Sequence, residues 1–107
     1  MSFSLEDLAD IIRSRRGAAA EKSYTKSLFE AGLPRIAKKF GEEAVEAVIA
    51  ALGEDRGALT GELADVIYHL LVLMEARDIA LADVLTELER RTSRSGHEEK
   101  ASRGAPR

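Results

Sequence analysis

The sequence predicts an all-α chain of about five helices. Three observations carry this. Apolar residues recur three and four positions apart along most of the chain. Gly, Pro and capping residues fall at helix-length intervals. Nowhere does an alternation of period two persist, so no sheet is expected.

Each helix has its own justification. Ser4 followed by Asp7 resembles a capping pair, and Leu5, Leu8, Ile11 and Ile12 share one face, so a first helix covers about 5–16 and Gly17 closes it. Ser23-Tyr24-Thr25 opens a short second helix over about 24–31, stopped by Gly32. Pro34 suits the first turn of a third helix running to about Leu52, with Gly53 as its end. Gly57 to Arg77 forms a long fourth helix with Asp55 as its cap, and Asp83 to about Arg91 a fifth. From Thr92 onward almost nothing is apolar. The expected organisation is therefore one domain over 1–92 and a polar tail over 93–107, mobile when free. Gly41 lies inside the third helix, where it costs about 1 kcal/mol relative to Ala; a close helix–helix approach would account for it.

Composition narrows the chemistry. The 107 residues carry 16 Lys and Arg against 19 Asp and Glu, a net charge of −3. Mild acidity argues against a broad surface for phosphate backbones, and 5% aromatics with no Trp argue against a base-stacking platform, so no nucleic-acid partner is expected. The lack of Cys removes disulfides, thiolate metal sites and Cys nucleophiles, and two His nearly exclude a multi-histidine zinc site. The N-terminus has neither a basic nor an apolar signal region. The longest mostly apolar stretch, Leu63 to Met74, contains Asp65 and His69 and falls short of the about 20 residues that span a bilayer. A cytoplasmic protein without a membrane partner is expected. Carboxylates and cations are the only plentiful reactive groups.

Those groups are arranged, not scattered. Glu42, Glu43 and Glu46 fall within roughly a 100° arc of the third helix, after Arg35, Lys38 and Lys39. Glu62, Asp65 and His69 fall within roughly a 60° arc of the fourth, on a helix otherwise apolar almost all round. A helix apolar on most sides is normally buried, and carboxylates on it are costly unless paired or bound to a cation. Two adjacent antiparallel helices would bring Glu43-Ala-Val-Glu46 to face Glu62-Leu-Ala-Asp65. Converging carboxylates repel one another, and an oxygen-only donor set selects Mg²⁺, with Mn²⁺ as a substitute, over Zn²⁺. Mg²⁺ commonly engages substrate phosphates, so the chemistry expected is hydrolysis of a nucleotide phosphoanhydride. The plain alternative for the third helix is a solvated face with Lys38–Glu42 and Lys39–Glu43 pairs. For His69 the expected role is a hydrogen-bonded core residue, not a catalyst. Tyr24 and Thr25 sit at a helix start, where free N–H groups and a hydroxyl suit an anion or serve simply as a cap.

The run Ser23-Tyr24-Thr25-Lys26-Ser27-Leu28, then Gly32 through Glu46, Glu62 through Leu73 and Asp83 through Arg91, resembles the phosphoribosyl-ATP pyrophosphohydrolases, within the MazG-like all-α nucleotide pyrophosphohydrolases. The likeness continues through Ser95-Gly96-His97-Glu98-Glu99-Lys100-Ala101-Ser102-Arg103 and covers about residues 4–103. It implies hydrolysis of 1-(5-phosphoribosyl)-ATP to the AMP form and pyrophosphate, the second step of histidine biosynthesis, with Mg²⁺ and in a homodimer of helical bundles. It implies Glu43, Glu46, Glu62 and Asp65 as metal ligands, with Glu42 adjoining. Arg35, Lys38 and Lys39, with Tyr24 and Thr25, are the implied phosphate contacts. Arg35 stands where Lys also occurs in the family, a minor departure. Glu43 or Glu46 would position or deprotonate the attacking water. Many relatives carry a fused cyclohydrolase, for which this chain is too short. The competing readings are a house-cleaning hydrolase of non-canonical nucleoside triphosphates and a non-catalytic helical dimerisation module. The fourth helix has more apolar surface than a five-helix monomer readily covers, which independently favours a second copy as partner.

Overall fold

The structure is a computed structural model that describes residues 2–17 and 23–93. Five helices and no strand make up the described residues: α1 Leu5–Gly17, α2 Tyr24–Ala31, α3 Leu33–Ala51, α4 Arg56–Ala76 and α5 Leu81–Thr92. The tail expected over 93–107 lies, beyond Ser93, outside the described residues.

Local chemistry sets the boundaries. The Ser4 N–H donates to Asp7 Oδ2 and the Asp7 N–H donates back to Ser4 Oγ, both at 3.0 Å, a reciprocal cap that starts α1. Ser23 Oγ accepts from the Lys26 N–H and starts α2. Gly32 ends α2 at φ 97°, a left-handed conformation open to glycine, and its N–H reaches the carbonyls of Leu28 and Phe29. That single residue turns the chain directly into α3, with Pro34 in the first turn. Asp55 Oδ1 accepts from the N–H groups of Gly57 and Ala58 at 2.9 and 3.1 Å and caps α4. The fifth helix starts two residues before the expected Asp83. No side chain caps it; the Ala80 carbonyl accepts from Asp83 and Val84 instead. Near its far end, Arg90 and Arg91 both donate to Glu87 and hold its carboxyl down to about 2.

The core forms where α1, α2, the start of α3 and the later half of α4 meet. Ile12, Leu28, Ile36, Leu71, Val72 and Met74 are its buried members, and α5 leans on it through Leu81 and Val84. Arg16 closes one side: its guanidinium donates to the Glu75 carbonyl at 2.7 Å and carboxylate at 3.1 Å, and lies 5.0 Å from the centre of the Phe29 ring. Helices α3 and α4 form the most extensive pairing.

Several expectations change here. The long α4 is buried only in its later part, at His69, Leu71, Val72 and Met74; Leu63 and Ile67 remain exposed, and so does Leu70 among the later turns. On α3 the inner face carries Ile36, Glu43 and Ala47, while Val45, Val48, Ile49 and Leu52 face outward. Among the described residues nothing presses on Gly41: a Cβ built there meets no atom within 4 Å, so no close approach among them explains the glycine. The helix Arg56–Ala76 has 21 residues and contains an 18-residue stretch of mean hydropathy 1.4, long and apolar enough to cross a bilayer, unlike the shorter stretch read from the sequence. Its three carboxylates, Glu62, Asp65 and Glu75, and its pairing with α3 are those of a bundle helix.

Ile12 is 1% exposed at the centre of the core. Ile12→Ala is expected to destabilise the fold by about 2–5 kcal/mol, read as a lowered denaturant midpoint at unchanged slope.

Candidate metal and phosphate site

Helices α3 and α4 bring together what the sequence separates by nearly twenty residues. Glu43 projects from the inner face of α3 and is 8% exposed. Glu62 and Asp65 stand one turn apart on α4, half-buried and exposed respectively. One carboxylate oxygen from each of Glu43, Glu62 and Asp65 lies within 4.8 Å of the others. The Glu62 carboxyl is raised above the ordinary carboxylate value, first by partial burial, then by the charges of Glu46, Asp65 and Glu43, with a hydrogen bond to Asp65 added. Carboxylates that hinder one another's ionisation, with oxygen donors only, fit a hard divalent cation such as Mg²⁺.

Glu46 lies outside that trio, exposed one turn on from Glu43, yet close enough for its charge to act on Glu62. Glu42 is exposed beside it. Lys39 Nζ is 3.7 Å from Glu43 Oε1, the i, i+4 pair that the plain reading of α3 anticipates. Arg35 and Lys38 are exposed on the turns before it. Basic side chains thus border the carboxylates along one helix.

The start of α2 packs against α4 through a polar network. His69 is 5% exposed, and both its ring nitrogens are bonded. Nδ1 is 2.7 Å from the Asp65 carbonyl oxygen. A carbonyl only accepts, so Nδ1 carries the hydrogen and the neutral ring is left with Nε2 as acceptor. The Tyr24 hydroxyl, 3.0 Å from Nε2, is therefore the donor. The core role expected of His69 is met by these bonds. Thr25 is fully enclosed, and its hydroxyl bonds to that of Tyr68. The cap of α2 is Ser23, not Thr25, whose hydroxyl is turned to Tyr68 within the fold. Tyr24 and Tyr68 stack with ring centres 6.2 Å apart, and each meets the His69 ring edge-on, at 5.9 and 5.1 Å. Tyr68 is the participant that the sequence did not single out. Its one signal was being, with Tyr24, one of only two tyrosines.

Residues 5–92 match the family described as phosphoribosyl-ATP pyrophosphohydrolase. The chain belongs to that family. Among its relatives, the phosphoribosyl-ATP pyrophosphatase of Agrobacterium fabrum is 53% identical over 98% of both chains. That of Methylobacterium nodulans is 54% identical over 98% of both. That of Cereibacter sphaeroides is 53% identical over 94% of this chain and 97% of its own. The match to the pyrophosphohydrolase family spans every helix that contributes to the carboxylate cluster and the tyrosine–histidine network.

Removing one neighbouring charge should relax the cluster. In the metal-free protein, Asp65→Asn is expected to move the Glu62 titration down toward the ordinary carboxylate range, as followed by NMR of the side-chain carboxyl. The sign for stability follows. A folded-state value above the unfolded one favours the fold below the unfolded value, and that contribution is lost as pH rises through the folded one. Without a cation, ionised Glu62 therefore weakens the fold near neutrality.

Proposed function

We propose that this chain hydrolyses 1-(5-phosphoribosyl)-ATP to 1-(5-phosphoribosyl)-AMP and pyrophosphate, the second step of histidine biosynthesis, with Mg²⁺ in the cytoplasm. The observation that carries the reading is the convergence of Glu43, Glu62 and Asp65 between two helices of a chain in the phosphoribosyl-ATP pyrophosphohydrolase family. Its relatives bear the name phosphoribosyl-ATP pyrophosphatase at near-complete coverage of both chains.

Glu43, Glu62 and Asp65 would hold the cation, with Glu46 joining from the next turn and Glu42 beside it. When bound, Mg²⁺ supplies charge neutralisation to the phosphates and a more acidic water. The chain's own residues do the rest. Arg35, Lys38 and Lys39 bind the phosphate oxygens, Arg35 as a planar fork and the lysines as point charges. A phosphate arriving beside Lys39 competes with Glu43 for its ammonium, which frees that carboxylate for the cation. Glu46, exposed at the rim and not enclosed in the trio, is placed to orient the attacking water and take its proton. Negative charge developing on the leaving pyrophosphate meets Lys39.

The same reading includes a homodimer. Val45, Val48, Ile49 and Leu52 of α3, with Leu63, Ile67 and Leu70 of α4, form apolar surface beside the carboxylates, from 37% exposed at Leu70 to 85% at Leu52. A second copy covering this face would shield the cluster from water and strengthen its electrostatics.

Incubated with phosphoribosyl-ATP and Mg²⁺, the protein is expected to release pyrophosphate. Glu46→Gln should lower kcat by about 10²–10⁴ with little change in folding. Failure of the folded protein to release pyrophosphate would overturn the assignment, and turnover of inosine or other nucleoside triphosphates lacking the N1-ribosyl group would favour the house-cleaning alternative. Sedimentation should give twice the mass of the 11.7 kDa chain, and Val48→Asp should return it to that of one chain.

A further inference from the structure

The tyrosine–histidine network carries an assignment beyond the metal and phosphate groups. It rests on the hydrolase reading above. The Asp65 carbonyl, 2.7 Å from His69 Nδ1, can only accept; in the neutral imidazole this leaves Nε2 without a hydrogen, and it takes the Tyr24 hydroxyl hydrogen at 3.0 Å. A phenol has one hydrogen. Once it is given to His69, the Tyr24 oxygen offers only lone pairs to anything outside. Tyr24 is half exposed, at 50%, while His69 behind it is buried. Its ring is also set by stacking on Tyr68, whose hydroxyl bonds to that of the buried Thr25. The phenol lies within electrostatic reach of Lys39, Glu43 and Arg35, the very groups that border the candidate phosphate position. Burial raises its titration further, so it keeps its hydrogen at neutral pH.

We propose that His69 is a positioning residue that holds the Tyr24 phenol as a hydrogen-bond acceptor at the rim of the site, where it receives a donor group of the bound nucleotide and not a phosphoryl oxygen. A phosphoryl oxygen ionised at neutral pH has no hydrogen to give, and would meet the lone pairs of the Tyr24 oxygen with repulsion. The matching groups on a ribosylated nucleotide are sugar hydroxyls, which donate and are spread over both ribose rings. Tyr24 thereby contributes to recognition of the sugar, while the cations of α3 receive the phosphates. The same histidine ties the start of α2 to the backbone of a carboxylate-bearing turn of α4, so the sugar contact and the carboxylate cluster share one rigid mount.

Three variants separate this from a phosphate contact and from a purely structural histidine. They are compared with the unaltered chain by steady-state kinetics on phosphoribosyl-ATP and by inhibition with inorganic pyrophosphate at fixed Mg²⁺. Tyr24→Phe keeps the ring and loses the oxygen; KM should rise about fivefold, the scale of one net hydrogen bond, with kcat within about twofold. The inhibition constant for pyrophosphate should not move. His69→Asn keeps a donor to the Asp65 carbonyl but loses the acceptor for Tyr24, and should reproduce the KM rise. His69→Gln places an amide oxygen near the lost Nε2 and should recover most of the affinity. If Tyr24→Phe raises the pyrophosphate inhibition constant in step with KM, the phenol is a phosphate donor and the proposal falls. It falls equally if His69→Asn matches the unaltered chain, or if Gln rescues no better than Asn, as a merely structural histidine would give. Absence of pyrophosphate release from the folded, unaltered chain is a separate result: it removes the hydrolase reading and this assignment with it.

Discussion

The register of α3 on α4 decides where the chemistry of this molecule can be. Rotated by one residue either way, α3 would place Ala44 or Glu42 where Glu43 stands and turn Glu43 away from α4. In the fold as it stands, Glu43 is buried beside two further carboxylates. Burying a carboxylate without a full counter-charge is unfavourable. The Lys39 ammonium, at 3.7 Å, offsets part of that. The Glu62 carboxyl is raised above its ordinary value, first by burial and then by the charges of Glu46, Asp65 and Glu43. An arrangement that opposes its own ionisation is one that a bound cation would relieve, and the donors here stand on rigid helices and not on loops.

That register is maintained from elsewhere. The apolar core gathers around Ile12, Leu28, Leu71 and Val72, on the side of α4 away from the exposed end of α3. Between core and carboxylates lies the layer of Tyr24, Thr25, Tyr68 and His69, in which the hydroxyls and ring nitrogens bond to one another or to backbone. Among the described residues, no buried side-chain polar atom lacks a partner. A fully satisfied polar layer resists alternative packings, since any slip would leave a buried donor or acceptor alone. It also makes α2, a helix of only eight residues, part of the site's foundation.

The outer face of α3 follows the same logic in reverse. With Glu43 turned inward, Val45, Val48 and Ile49 are turned outward, and they form apolar surface continuous with the early turns of α4. Few small folded chains leave side chains such as these uncovered without a partner. A covering copy would exclude water next to the cluster, so association and metal chemistry would be coupled through one helix.

Much of this was legible in the residues alone, because it depends on local rules. Ser4 with Asp7, Ser23, Gly32 with Pro34, and Asp55 each act within a few residues of themselves, and the helices begin and end where those residues indicate. The start of α5 was misplaced by two residues because backbone carbonyls, with no side-chain signal, cap it. The spacing of Glu43 and Glu46 with Glu62 and Asp65 was equally readable, since helical periodicity alone puts each pair on one face. Tertiary structure decided the remainder. Only packing could make Glu43 the enclosed carboxylate and leave Glu46 at the rim, join Tyr24 to His69 across 45 positions of chain, enclose Thr25 and bring in Tyr68. Periodicity tells which residues share a face; which face turns inward depends on what the other helices can cover, and no single helix carries that information.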